Sequence, residues 1–168
     1  MCSCLWSPPV RAEIIDKIVA ILDEELILLS ELRECISKPV VKVVANLDGS
    51  VNIEQDALRY MIERRLLLRE VQYLAFPDEK DLVKSLATQY IINRYHHKDA
   101  PAFAAKVQTQ GVADAELAQE LTLYLKGIDY IRRKSRFNAD IDNPEVVLNL
   151  FQKWVEDLRA RAKIQTTF

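Results

Sequence analysis

The chain has 168 residues, 49% of them hydrophobic and 29% charged with both signs interspersed, which suits one buried core and excludes a disordered tail. A formal net charge of −2 supplies no overall pull toward nucleic acid or an anionic membrane. Only three glycines occur, Gly49, Gly111 and Gly127, and they leave no glycine-rich phosphate cradle of the P-loop or dinucleotide type.

The opening residues, "MCSCLWSPPVR", lack the basic region and the apolar run of a secretory signal. Every later apolar stretch is broken by Asp or Glu well before about 18 residues, so no membrane-spanning helix is expected. Cys2, Cys4 and Cys35 cannot all pair within one chain. They read as reduced thiols in a cytoplasmic setting. Residues 1–9 are expected to form a flexible N-terminal arm, and the whole of 1–168 a single helical domain.

From Val10 to Ser37 the spacing predicts one long helix. Ile15, Ile18, Leu22, Leu29, Leu32 and Ile36 form one stripe, and Ile14, Ile21, Leu28 and Cys35 a second beside it. Pro8 and Pro9 suit its start, and Lys38-Pro39 its end. The next stretch, "VVKVVANLDGSVNI", is rich in β-branched residues and holds Asp48-Gly49, a strong hairpin dipeptide. A short extended or hairpin segment is therefore expected near residues 40–53, leaning on the helices.

Helical spacing returns over 53–76, with Ala57, Met61, Leu68, Val71 and Ala75 on one face. Pro77, Asp78 and Glu79 open a third helix in the expected way, with proline and acids in the first turn. Pro101 opens a short fourth that stops at Gly111. A fifth spans 113–137 on Leu117, Leu121, Tyr124, Ile128 and Ile131. The sixth begins at Asp142-Asn143-Pro144 and carries Val147, Phe151, Trp154, Leu158 and Ala162. The fold class is all-α, an antiparallel bundle of five to six helices joined by short connections.

Chemistry-bearing residues are few. His96 and His97 are adjacent, so on a helix they point about 100° apart and do not share a metal; usable pairs sit three or four residues apart. With Arg94 and Lys98 they read as the basic C-terminus of a helix. Cys2 and Cys4 form no Cys-x-x-Cys. Asp140 and Asp142 resemble half of a calcium loop that lacks its glycine and its closing Glu. No Gly-x-Ser-x-Gly and no Glu-x-x-His occurs. A helix-turn-helix around Gly111 fails because its recognition helix would carry Asp114, Glu116 and Glu120 into the phosphates. No cofactor and no metal is expected.

Apolar surface stands above this background. The first predicted helix is apolar nearly all round, as in a helix shared with a partner. The expected function is a non-enzymatic interaction protein (adaptor, chaperone or regulatory subunit) in the cytoplasm, whose partner is another protein or a second copy. Its contact residues are expected at Leu5, Trp6, Ile21, Leu28, Val41 and Val43. The alternative is a nucleic-acid-associated factor using the basic helix end at 130–137, where Arg132, Arg133, Lys134 and Arg136 would meet phosphates. A small helical enzyme with a site around Tyr90, Arg94 and His97 is the third reading.

Overall fold

The computed structural model describes residues 16–78 and 80–167. Its order of elements is β1 (Ile18–Leu22), β2 (Glu25–Leu28), α1 (Leu29–Ser37), α2 (Pro39–Val44), a 3-10 turn (Leu47–Gly49), α3 (Ile53–Val71), α4 (Lys80–Tyr95), α5 (Ala100–Thr109), α6 (Asp114–Ser135), α7 (Pro144–Arg161) and β3 (Ile164–Thr166). The fold is a helical bundle with a small antiparallel sheet of order β2-β1-β3. None of the described helices is long and apolar enough to cross a membrane.

The first predicted helix is corrected. Its first residues, 10–15, lie outside the described ones. Residues 18–28 form a hairpin, and helix is found over Leu29–Ser37. The reason lies in burial: Val19, Ala20 and Leu22 are all buried, so the strand shows no clean alternation. An apolar run covered on both faces satisfies helical and strand templates alike. The turn residue Asp23 takes a left-handed conformation (φ 55°) and is tied from two sides. Its amide donates to the Lys163 carbonyl at 2.8 Å, and its carboxylate accepts from the Lys163 amide at 2.8 Å and from Arg69 at 2.6 Å.

Arg65 and Arg69 of α3 fasten the hairpin to the bundle. Arg69 donates to the Leu22 carbonyl at 3.0 Å and Arg65 to the Leu26 carbonyl at 3.1 Å, while Glu25 and Glu31 pair with them. The basic cluster of "ERRLLLRE" is thus a structural clamp.

The hairpin expected near 40–53 is corrected too. Pro39 takes the first turn of α2, and Val40, Val41, Val43 and Val44 are buried around it. Tertiary burial overrides their strand preference. Asp48-Gly49 lies in the 3-10 turn, and Asn46 supplies the left-handed residue (φ 55°) just before it.

The helix expected over 53–76 ends at Val71, so Ala75 is exposed outside it. Pro77 and Asp78 precede α4 instead of forming its first turn; the later helices follow the sequence pattern more closely. Asp99 caps α5 by accepting from the Ala102 amide at 2.9 Å, and Asn143 caps α7 from the Glu145 amide at 3.0 Å. On α6, Leu121, Tyr124, Ile128 and Ile131 are buried. They meet Val147, Phe151 and Leu158 of α7 in one continuous core. Gly127 allows that closeness, since a Cβ there would stand 2.7 Å from the Phe151 ring.

Candidate docking trough and the polar cluster behind it

Helices α1 and α6 both pack on α3 and leave between them an open trough of about 500 Å³, with Val41 of α2 also lining it. Its apolar lining comes from Met61 and Leu68 of α3, Leu123 of α6 and Cys35 of α1. Leu68 is 46% exposed although it falls on the stripe expected to be buried. Burial, with Glu120 nearby, pushes the Cys35 thiol up to about 11, so it is not a ready nucleophile at neutral pH.

The charges around the trough are matched within the chain. Glu34 pairs with Lys38 at 3.1 Å, Glu31 with Arg65 at 2.9 Å, and Glu120 with Arg64 at 2.7 Å. Arg64 also donates to the Glu120 carbonyl at 2.8 Å, and the Tyr60 hydroxyl donates to the Glu120 carboxylate. This group ties α3 to α6 at the inner wall of the trough.

Tyr60 leads inward from there. Its ring meets Tyr95 edge-on at 5.8 Å between centroids. Deeper still lies Glu63, only 3% exposed. Arg94 approaches its carboxylate at 3.4 Å, and the Tyr90 hydroxyl donates to it at 3.4 Å. The Tyr95 and Tyr124 hydroxyls sit in the same pocket and favour the charge, though neither closes a well-formed hydrogen bond. Burial still dominates and raises the Glu63 carboxyl above its usual range, with Arg94 and the hydroxyls opposing. Tyr60, Tyr95 and Tyr124 are held well above the usual phenol range, again by burial first.

A second, more apolar hollow of about 440 Å³ lies across α6, beside Phe76, Pro77, Ala118 and Leu125. It shares Gln119 and Thr122 with the trough, so the two flank one ridge of α6. Phe76, in its lining, is exposed.

The residues singled out in the sequence fall as follows. Leu5 and Trp6 lie outside the described residues. Ile21 and Leu28 are half-buried on the hairpin. Val41 and Val43 are 3% and 0% exposed, so the valine segment packs into the core, with Val41 reaching the trough lining. Arg132, Arg133, Lys134 and Arg136 gather at the end of α6, as their spacing implies. Tyr90 and Arg94 do converge, but on Glu63. His97 instead is exposed in a left-handed turn (φ 50°). His96 is buried, its Nε2 2.8 Å from the Val43 carbonyl and its ring edge-on to Phe103. The histidines therefore part company at the helix end. Among the described residues no three of His, Cys, Asp and Glu converge as a metal-ligand group.

Sequence reasoning missed the trough itself, because three helices distant in sequence build it. It also missed Glu63, which reads as a solvent-face acid between Ile62 and Arg64. No family model matches the chain, and no curated protein or solved structure is significantly similar to it.

Proposed function

We propose that this chain is a non-enzymatic helical interaction protein, an adaptor, chaperone or regulatory subunit, whose trough receives an amphipathic helical segment of another protein chain. The observation that carries this reading is the open hollow over α3 with Met61, Leu68 and Leu123 in its lining and its charges already paired. A helix docked there would lay apolar residues at i, i+3, i+4 and i+7 on those three side chains, the usual helix-in-groove arrangement. The pairing of Glu31, Glu34 and Glu120 with bases favours binding over acid–base chemistry, which needs a carboxylate poised to exchange its proton. The adjoining hollow beside Phe76 and Leu125 offers a further apolar anchor point across α6. A cytoplasmic setting fits Cys35, which is a free thiol on the trough wall. The working surface on this reading is the α1–α3–α6 trough, with Val41 in its lining.

Selection from a displayed peptide library tests the reading, with wild type and Leu68→Glu as baits. Leu68 is exposed, so the variant keeps its fold. Supporting peptides share an amphipathic helical pattern and bind the variant at least tenfold more weakly, the loss of about 1.4 kcal/mol. Peptides without that pattern, or peptides indifferent to Leu68→Glu, count against the trough. Light scattering on wild type and Leu68→Glu then tells whether a second copy is the natural occupant. A dimer that becomes monomeric in the variant identifies it.

A further inference from the structure

The C-terminal end of α6 has features that the helix dipole leaves unexplained. Four cations, Arg132, Arg133, Lys134 and Arg136, follow Tyr130 and Ile131 and precede Phe137. The dipole accounts for cations at that end, because the last turn carries about half a negative charge. It does not account for Phe137, which is 81% exposed. The Arg136 guanidinium lies over that ring at 4.4 Å from its centroid. Lys134 sits over Tyr130 at 5.7 Å, and Tyr130 in turn meets Trp154 of α7 at 5.5 Å between centroids.

Arg136 also lines a hollow of about 320 Å³, together with Asp78, Asp129, Arg132, Arg133 and Ile141. Its two acids both turn to Arg133. Asp129 pairs with the Nε edge at 2.8 Å, whereas Asp78 is almost fully exposed and stands 3.6 Å from Nη2. The long contact to Asp78 is screened by water and easily displaced by a stronger anion. Three of the four acids of α6, Asp114, Glu116 and Glu120, lie in its other half, and the fourth, Asp129, is paired with Arg133. Cations therefore outnumber acids at this end of the helix, which favours an anionic ligand there.

We propose that the C-terminal end of α6 is a separate binding surface for single-stranded nucleic acid, with Arg133 and Arg136 holding a phosphate at the hollow and Phe137 stacking on a base. Cations beside an exposed aromatic ring, here Phe137, are the combination such strands use, since phosphates repeat along the backbone and every base has a π-face. A duplex keeps its bases stacked on each other and would have to unstack a step to meet Phe137, which costs free energy. A free phosphate would use the cations alone.

Fluorescence anisotropy of a labelled oligothymidylate of about 12 nucleotides, within the span of known single-strand sites, tests the proposal. Wild type, Phe137→Ala and Arg133→Ala/Arg136→Ala are compared over a salt series. Each phosphate contact adds about −0.7 to the slope of log affinity on log salt. Expected is binding to the single strand that exceeds binding to the duplex. The double variant, which loses the one phosphate that both arginines hold, should lower the slope by about 0.7. Phe137→Ala should weaken binding roughly fivefold to a hundredfold, the range of one base stack, with the slope unchanged. All three proteins remain folded, because the substituted side chains lie at an exposed helix end. The proposal is overturned by no binding at low salt, by equal affinity for duplex, or by indifference to Phe137→Ala. Capture of phosphatidylserine vesicles more strongly than the oligonucleotide likewise overturns it.

Discussion

Glu63 sets the energetics of the bundle interior at the level of single residues. It is a buried carboxyl among tyrosine hydroxyls with Arg94 at its rim, and its folded-state proton affinity is raised above the usual value near 4.5, burial being the largest cause. The linkage sign follows: a raised acid contributes its stability below its unfolded value, and loses it as pH rises through the folded one. Glu63→Gln keeps an acceptor for Tyr90 and removes the buried charge. In thermal melts its stability relative to wild type should therefore rise between pH 4.5 and neutrality. A difference that stays flat or moves the other way contradicts the assignment. Glu63→Leu strands the Tyr90 hydroxyl and its neighbours, and should cost about 2 kcal/mol or more in denaturant titration. Gly127 is the other decisive residue. Alanine there gains about 1 kcal/mol of helix propensity. It also drives a methyl against Phe151 and Trp154, at about 1–3 kcal/mol of overpacking. A net loss near 1 kcal/mol is expected, whereas a more stable Gly127→Ala would mean that the α6–α7 contact yields freely.

At the scale of elements, the helices from α3 onward were legible, because each buries one stripe and carries its own signals. Asp99, Asn143 and Pro144 mark starts that the structure keeps. Residues 18–28 were not legible as a hairpin, since Val19, Ala20 and Leu22 are covered on both sides and mimic a wide helical face. The signal available was the β-branched Ile18, Val19 and Ile21 ahead of the two-residue break Asp23-Glu24. Residues 40–44 misled in the opposite sense. Their valines look like strand, but Pro39 starts a helix and the core surrounds it. Two predictions belong here. Val43→Asp should abolish the cooperative unfolding transition, because it places an unpaired charge in the core; a folded variant with altered association would restore the idea of a valine docking surface. Asp23→Ala should loosen β3, seen as faster exchange of the Thr167 amide, which donates to the Val19 carbonyl, with α6 amides unchanged. Unchanged exchange at Thr167 would show that Asp23 does not hold the third strand.

The whole molecule brings together surfaces that no single element announces. The basic end of α6 could be read from the string of Arg132, Arg133, Lys134 and Arg136, since neighbours in sequence remain neighbours at a helix end. The trough could not, because Cys35, Met61 and Leu123 meet only when α1, α3 and α6 assemble. The same holds for the path from Glu120 through Tyr60 and Tyr95 to Glu63, which runs inward from the trough wall. The Arg64–Glu120 pair ties α6 to α3 at the trough wall, and Leu68 is left 46% exposed in its lining. The central claim is that a helical segment binds there. Amide chemical-shift mapping of the labelled chain, titrated with a selected amphipathic peptide, tests it most directly. The account predicts perturbations concentrated at Cys35, Met61, Leu68 and Leu123; perturbations centred on Leu26 of the hairpin, or on Phe137, would contradict it.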